Sequence, residues 1–137
     1  MTKSLTCGIH HIGLSVSRLE ETAGFFTGCL GWSEMRKDPD YPAIFVTDGK
    51  NMVSLWGMVQ AEDIHGFNRK KNTGLHHVAL EVDSMARLQM ICRIMEKAPG
   101  VTIEFPPELV RGGPAMHMMC YEPSGVRVEF VWPGYSE

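Results

Sequence analysis

Gly8-Ile9-His10-His11-Ile12-Gly13-Leu14-Ser15-Val16 returns, 66 residues further on, as Gly74-Leu75-His76-His77-Val78-Ala79-Leu80-Glu81-Val82. Five of the nine positions are identical, both histidines among them, and only Ser15 against Glu81 differs in kind. Histidine is uncommon, so a His-His pair repeated at one register marks an internal duplication. Two copies of one supersecondary unit then account for nearly all of the 137 residues.

Each copy alternates as a half-buried strand does. Ile12, Leu14 and Val16 share an apolar face with His10, while His11, Gly13 and Ser15 share a smaller, more polar face suited to a cavity wall. Ser17-Arg18-Leu19-Glu20 then reads as a capping box, and Leu19, Ala23, Phe26 and Leu30 fall at helical spacing up to Gly31. Three strands are expected next, at 32–36, 43–47 and 52–56, separated by Asp38-Pro39-Asp40 and Asp48-Gly49-Lys50-Asn51. Residues 58–73 carry the charged run Asn68-Arg69-Lys70-Lys71-Asn72 and read as a solvated linker, with a flap over a site as the alternative.

The second copy repeats the order. A strand at 75–82 leads to a helix capped by Asp83 or Ser84, with Met85, Leu88, Cys92 and Met95 as its stripe and Pro99-Gly100 at its end. A strand at 101–105 follows. The segment from Pro106-Pro107 to Arg111-Gly112-Gly113-Pro114 is expected to be irregular. Strands at 115–121 and 126–132, joined by Glu122-Pro123-Ser124-Gly125, complete the chain. The fold class is therefore α+β: one domain over 1–137, with βαβββ modules at about 8–57 and 74–133 joined by the linker.

Composition bounds the function. Apolar residues make up 44% and charged residues 21%, as in a soluble globular domain, and the formal net charge of −3 gives no case for nucleic acid or an anionic membrane. No apolar run approaches a membrane span, and no secretory leader is visible, so a cytoplasmic location is expected. Cys7, Cys29, Cys92 and Cys120 show no Cys-x-x-Cys spacing and read as buried small hydrophobes in a reducing compartment.

The repeat also offers chemistry. Modules packed about a pseudo-two-fold axis would bring His11 and His77 together, and the second histidine of each pair lies on the less apolar face. His10 and His76 read as strand-end residues. Glu129 stands within Val128, Phe130 and Val131, where an unpaired carboxylate is expensive; a metal or Arg127 could satisfy it. Two histidines and one carboxylate with open positions suit Fe, Mn, Ni or Zn. Such a metal polarises a substrate oxygen.

The strand His11–Val16, the run Phe25-Phe26-Thr27-Gly28-Cys29-Leu30-Gly31-Trp32, the strand His77–Val82 and the ending Glu122–Phe130 together resemble the vicinal oxygen chelate superfamily, also called the glyoxalase/bleomycin-resistance/dioxygenase family. The resemblance implies a curved, glyoxalase-like mixed sheet or half-barrel with helices outside, and often a homodimer. It implies metal ligation by His11, His77 and Glu129, with Ser54 where relatives of glyoxalase I place a fourth ligand. The implied function is a metal-dependent enzyme acting on a small molecule chelated through its oxygens, by lyase or isomerase chemistry, extradiol-type ring cleavage or thiol transfer. Glu129 and His117 are the catalytic candidates, and Ser54, Glu81, Arg127 and Tyr121 the substrate-binding ones. The rival expectation is a metal-free protein that sequesters a small molecule.

Overall fold

Each copy of the repeated stretch opens a four-stranded mixed sheet. The computed structural model describes residues 3–59 and 64–134. Its elements are β1 (His11–Val16), α1 (Leu19–Gly24), β2 (Ser33–Asp38), β3 (Ala43–Thr47), β4 (Met52–Gly57), β5 (Val78–Glu81), α2 (Met85–Lys97), β6 (Thr102–Leu109), β7 (Met116–Tyr121) and β8 (Arg127–Trp132). The expected α+β order, βαβββ twice, is what the chain adopts. The sheets run β1-β4-β3-β2 and β5-β8-β7-β6, so in each module the first strand lies parallel to the last.

Alternation along the strands sets what faces inward. Leu14 and Val16 of β1 are buried while His11, Gly13 and Ser15 are exposed. The inward faces and the helices form one continuous core that includes Leu14, Phe26 and Leu55 of module one and Leu88, Met118 and Phe130 of module two. The modules also interlock through a polar contact. Glu122, 1% exposed, accepts from the Thr22 hydroxyl at 2.6 Å and from the backbone N–H groups of Ser124 and Val126. Burial raises the pKa of the Glu122 carboxyl, and these donors oppose the rise.

Several expectations are corrected. Ser17 does not cap α1: the flanking residue is Arg18, without a side-chain cap, and its N–H is satisfied from the other module by Ser124 Oγ at 3.0 Å. Glu20 pairs with Lys37 instead of reaching back. The helix also does not continue regularly to Leu30 but widens into a π-helical turn at Phe25–Cys29. Consecutive Phe25 and Phe26 are both buried there, and Thr27 Oγ1 donates to the Ala23 carbonyl at 3.0 Å, which competes with the α-helical ladder.

In module two, Ser84 caps α2 by accepting from the Arg87 N–H. β5 is shorter than the expected 75–82, beginning at Val78, so His77 sits just before it. The Pro106-Pro107 segment is strand, not loop. β6 is an edge strand whose register slips on either side of Phe105, and an edge tolerates residues that cannot donate to a ladder. Cys92 and Cys120 are buried, but Cys7 is exposed. Part of the connector, residues 60–63, lies outside the described residues, and among those described no helix is long and apolar enough to cross a membrane.

Candidate metal centre

The outward faces of the two sheets carry the polar candidates. In module two, Glu129 of β8 lies beside Ala79 of β5 and Met119 of β7. Its two oxygens take different partners: Oε1 is 3.0 Å from His77 Nε2, and Oε2 is 2.7 Å from His117 Nδ1. The His117 ring also packs on Phe105, with centroids 4.9 Å apart. Arg127 is not the partner of Glu129. It forks onto Glu104 through two bonds of 2.9 Å, and Tyr121 Oη donates to the same carboxylate at 2.7 Å. Arg127, opposed by partial burial and helped by Tyr121, holds the Glu104 carboxyl at about 2.

The histidine pairs set the chemistry of the site. His76 Nδ1 lies 2.7 Å from His77 Nδ1 and 3.4 Å from the Arg127 guanidinium. A guanidinium can only donate, so His76 Nδ1 is an acceptor and His77 Nδ1 carries the proton that points to it. A neutral His77 then presents a lone pair at Nε2, aimed at a carboxylate oxygen. In that tautomer the two facing atoms are acceptors 3.0 Å apart, which a cation would join, whereas a proton on Nε2 would make the same contact an ion pair. Neighbouring ligands at about 2.1 Å from a metal and at right angles to each other sit about 3 Å apart. The donor types and their spacing therefore fit a divalent metal, with His76 as the outer partner that fixes the His77 tautomer.

His11 does not join this group. It is exposed at the start of β1, with Nδ1 2.9 Å from His10 Nδ1, an arrangement that repeats the His76–His77 contact. Among the described residues no three His, Cys, Asp or Glu side chains converge as a metal set. The remaining candidates scatter. Glu81 is exposed at the end of β5, next to a cavity of about 790 Å³ that His10 and His11 also line. Ser54, at the register equivalent to Glu129, is 1% exposed, and its Oγ accepts from Trp56 Nε1 at 2.9 Å. Trp56 packs edge-on against Tyr41 and Phe45, and the Arg36 guanidinium lies 5.3 Å from the Phe45 ring centre.

Sequence reasoning missed Glu104, Arg69 and this aromatic face. Glu104 shares the sheet with Tyr121 and Arg127, but the bulges of β6 hide its register. Arg69 lies in a segment without periodicity.

Solved structures repeat this architecture. A putative glyoxalase from Bacillus halodurans is 23% identical, with a TM-score of 0.75 over 91% of this chain and 95% of that one. A lactoylglutathione lyase from Agrobacterium tumefaciens is 18% identical, with a TM-score of 0.71 over 96% and 97%. The genomically encoded fosfomycin resistance protein FosX from Listeria monocytogenes is 16% identical, with a TM-score of 0.72 over 93% and 94%. At these identities the likeness is one of fold. No sequence among curated proteins matches the chain. The pattern of one family does match, across residues 8–130 and hence across both modules, and by that match the chain belongs to the Glyoxalase/Bleomycin resistance protein/Dioxygenase superfamily.

Proposed function

We propose that the protein is a divalent-metal-dependent enzyme whose small-molecule substrate chelates the metal through oxygen atoms. The observation that carries this reading is the 3.0 Å approach of His77 Nε2 to Glu129 Oε1, with His76 beside His77 and His117 beside Glu129. His77 and Glu129 hold the metal, and His11 completes the set from the first module of a second copy of the chain. That assignment makes the working form a homodimer and accounts for His11 standing apart. The metal, when bound, supplies Lewis-acid polarisation of a substrate oxygen.

The chain's own groups do the rest. His117 donates from Nδ1 to Glu129 Oε2, which leaves Nε2 as the proton acceptor on the open face, 4.0 Å from the Glu108 carboxylate. Glu129 is the catalytic carboxylate only through this orientation, because both its oxygens are engaged. Lyase or isomerase chemistry, extradiol-type cleavage and thiol transfer all fit this arrangement, as does a cytoplasmic setting. The second reading, metal-free binding of an apolar small molecule, is favoured by the Tyr41–Phe45–Trp56 face.

Metal content of the purified protein, measured by mass spectrometry beside His77→Ala, Glu129→Ala and His11→Ala, tests the proposal. Near-stoichiometric metal in the wild type and loss in all three variants is expected. Refolding His11→Ala together with His77→Ala should restore metal to mixed dimers, since one of their two sites is then intact. Restoration would fail if the ligands came from one chain. A wild type that takes up no divalent metal on addition leaves the sequestering reading.

A further inference from the structure

A cavity of about 550 Å³ lies where β1, the connector and the β7–β8 end of module two meet. Its wall carries Arg69, Lys70 and Arg127, and among the described residues no Asp or Glu lines it. This is unexpected in a chain of formal net charge −3. Arg127 is neutralised by Glu104 through their two-bond fork. Arg69 gives one N–H to Tyr121 Oη at 2.9 Å and stands 4.0 Å from Glu104, so four of its five donors are left for other partners. Lys70 has no carboxylate partner among the described residues. Among the described residues, three cations against one carboxylate leave an excess of two positive charges at the wall.

The connector is built to hold this arrangement. Asn68 Oδ1 accepts from the Lys70 N–H, Asn72 Oδ1 accepts from the Asn68 N–H, and the Asn72 N–H returns to the Asn68 carbonyl. This closed turn presents Arg69 and Lys70 side by side. Phe67 anchors it by lying over Gly74, where a Cβ would come within 2.8 Å of the ring. Residues 67–72 of the expected linker are exposed apart from half-buried Arg69, and they form a turn hydrogen-bonded within itself. Phe67, Leu75 and Met58 add apolar wall, and Ser15 and Ser17 line the same space.

We propose that this cavity binds a small amphiphilic oxyanion, a carboxylate or a phosphate or phosphonate carried on an apolar body. Arg69 and Lys70 hold the charge, and Phe67 and Leu75 cover the body. Binding here does not require the metal. If the metal reading also holds, the oxyanion is the group that anchors the substrate, because Arg127 lies two residues from Glu129 on one strand face.

Isothermal titration of metal-stripped protein with phenyl phosphate, phenylacetate, inorganic phosphate and 2-phenylethanol tests the site. At least one aryl anion should bind one equivalent per chain, about tenfold or more tighter than the neutral alcohol, and should weaken about tenfold in Arg69→Ala and in Lys70→Ala. Arg69→Lys should retain part of the affinity, and circular dichroism should show each variant folded. Preference for phenyl phosphate identifies a phosphate or phosphonate ligand, and preference for phenylacetate a carboxylate. Equal binding of 2-phenylethanol, unchanged affinity in both alanine variants, or no binding tighter than about 10 mM would overturn the proposal. Because no metal is present, these results are separate from the outcome of the metal assay.

Discussion

Ser54 and Glu129 occupy the same register in the two modules. Ser54 lies between Gly13 and Phe45, and Glu129 between Ala79 and Met119. At Ser54 the face is closed: Trp56 donates to the hydroxyl, and a Cβ at Gly13 would lie 3.2 Å from it. At Glu129 the face is open and polar, with two imidazoles converging on one carboxylate. Duplication preserved the backbone frame and let the side chains divide the work. Module one supplies an aromatic wall, and module two gathers two imidazoles on one carboxylate.

Removing Glu129 strikes that difference hardest. Glu129→Ala should lower apparent metal affinity by more than about 100-fold, while Ser54→Ala should change it little, as read by competitive metal titration. Comparable losses in both would show that the modules share the ligand role. Next in size is the contact that joins the modules. Glu122→Ala strands two backbone donors and leaves the Thr22 hydroxyl only its 2.6 Å contact with Ser124 Oγ, and should lower stability by about 2–4 kcal/mol in urea denaturation. Trp56→Ala removes the centre of the aromatic wall and should cost about 1–3 kcal/mol with metal affinity unchanged.

The smallest expected effect is on pH dependence. The Glu104 carboxyl falls from its ordinary 4.5 to about 2 in the fold, so its pairing stabilises the protein above about pH 4.5, and that stability is lost as pH falls toward 2. Arg127→Gln should flatten this acid-side decline in a thermal-denaturation series. Glu122, raised by burial, works with the opposite sign. The difference between wild type and Arg127→Gln therefore isolates Glu104, and identical slopes would show that the fork contributes nothing.

Much of the frame was legible because it depends on local periods. The strands at the two His-His pairs, though not their first residues, the alternation that exposes His11, Gly13 and Ser15, and the Ser84 cap each follow from neighbours within a few residues. The π-helical turn was not legible, since the pattern Leu19, Ala23, Phe26, Leu30 satisfies a regular helix and only the burial of both Phe25 and Phe26 distinguishes the alternative. The Arg18 N–H finds Ser124 across 106 positions, a partner that no capping pattern names. Pro106-Pro107 read as a break because an edge position cannot be told from a central one before the sheet order is known.

By itself, then, the sequence determined the duplication, the βαβββ order and which side chains leave the core, because strand parity and helical spacing are properties of the covalent chain. Tertiary structure decided the pairings. It gave Arg127 to Glu104 and left Glu129 to His77 and His117, it docked Arg69 against Tyr121, and it set His11 apart. Each of these depends on how two sheets and a connector are placed in space, and the energy of a charged group depends on which opposite charge that placement brings within a few ångströms.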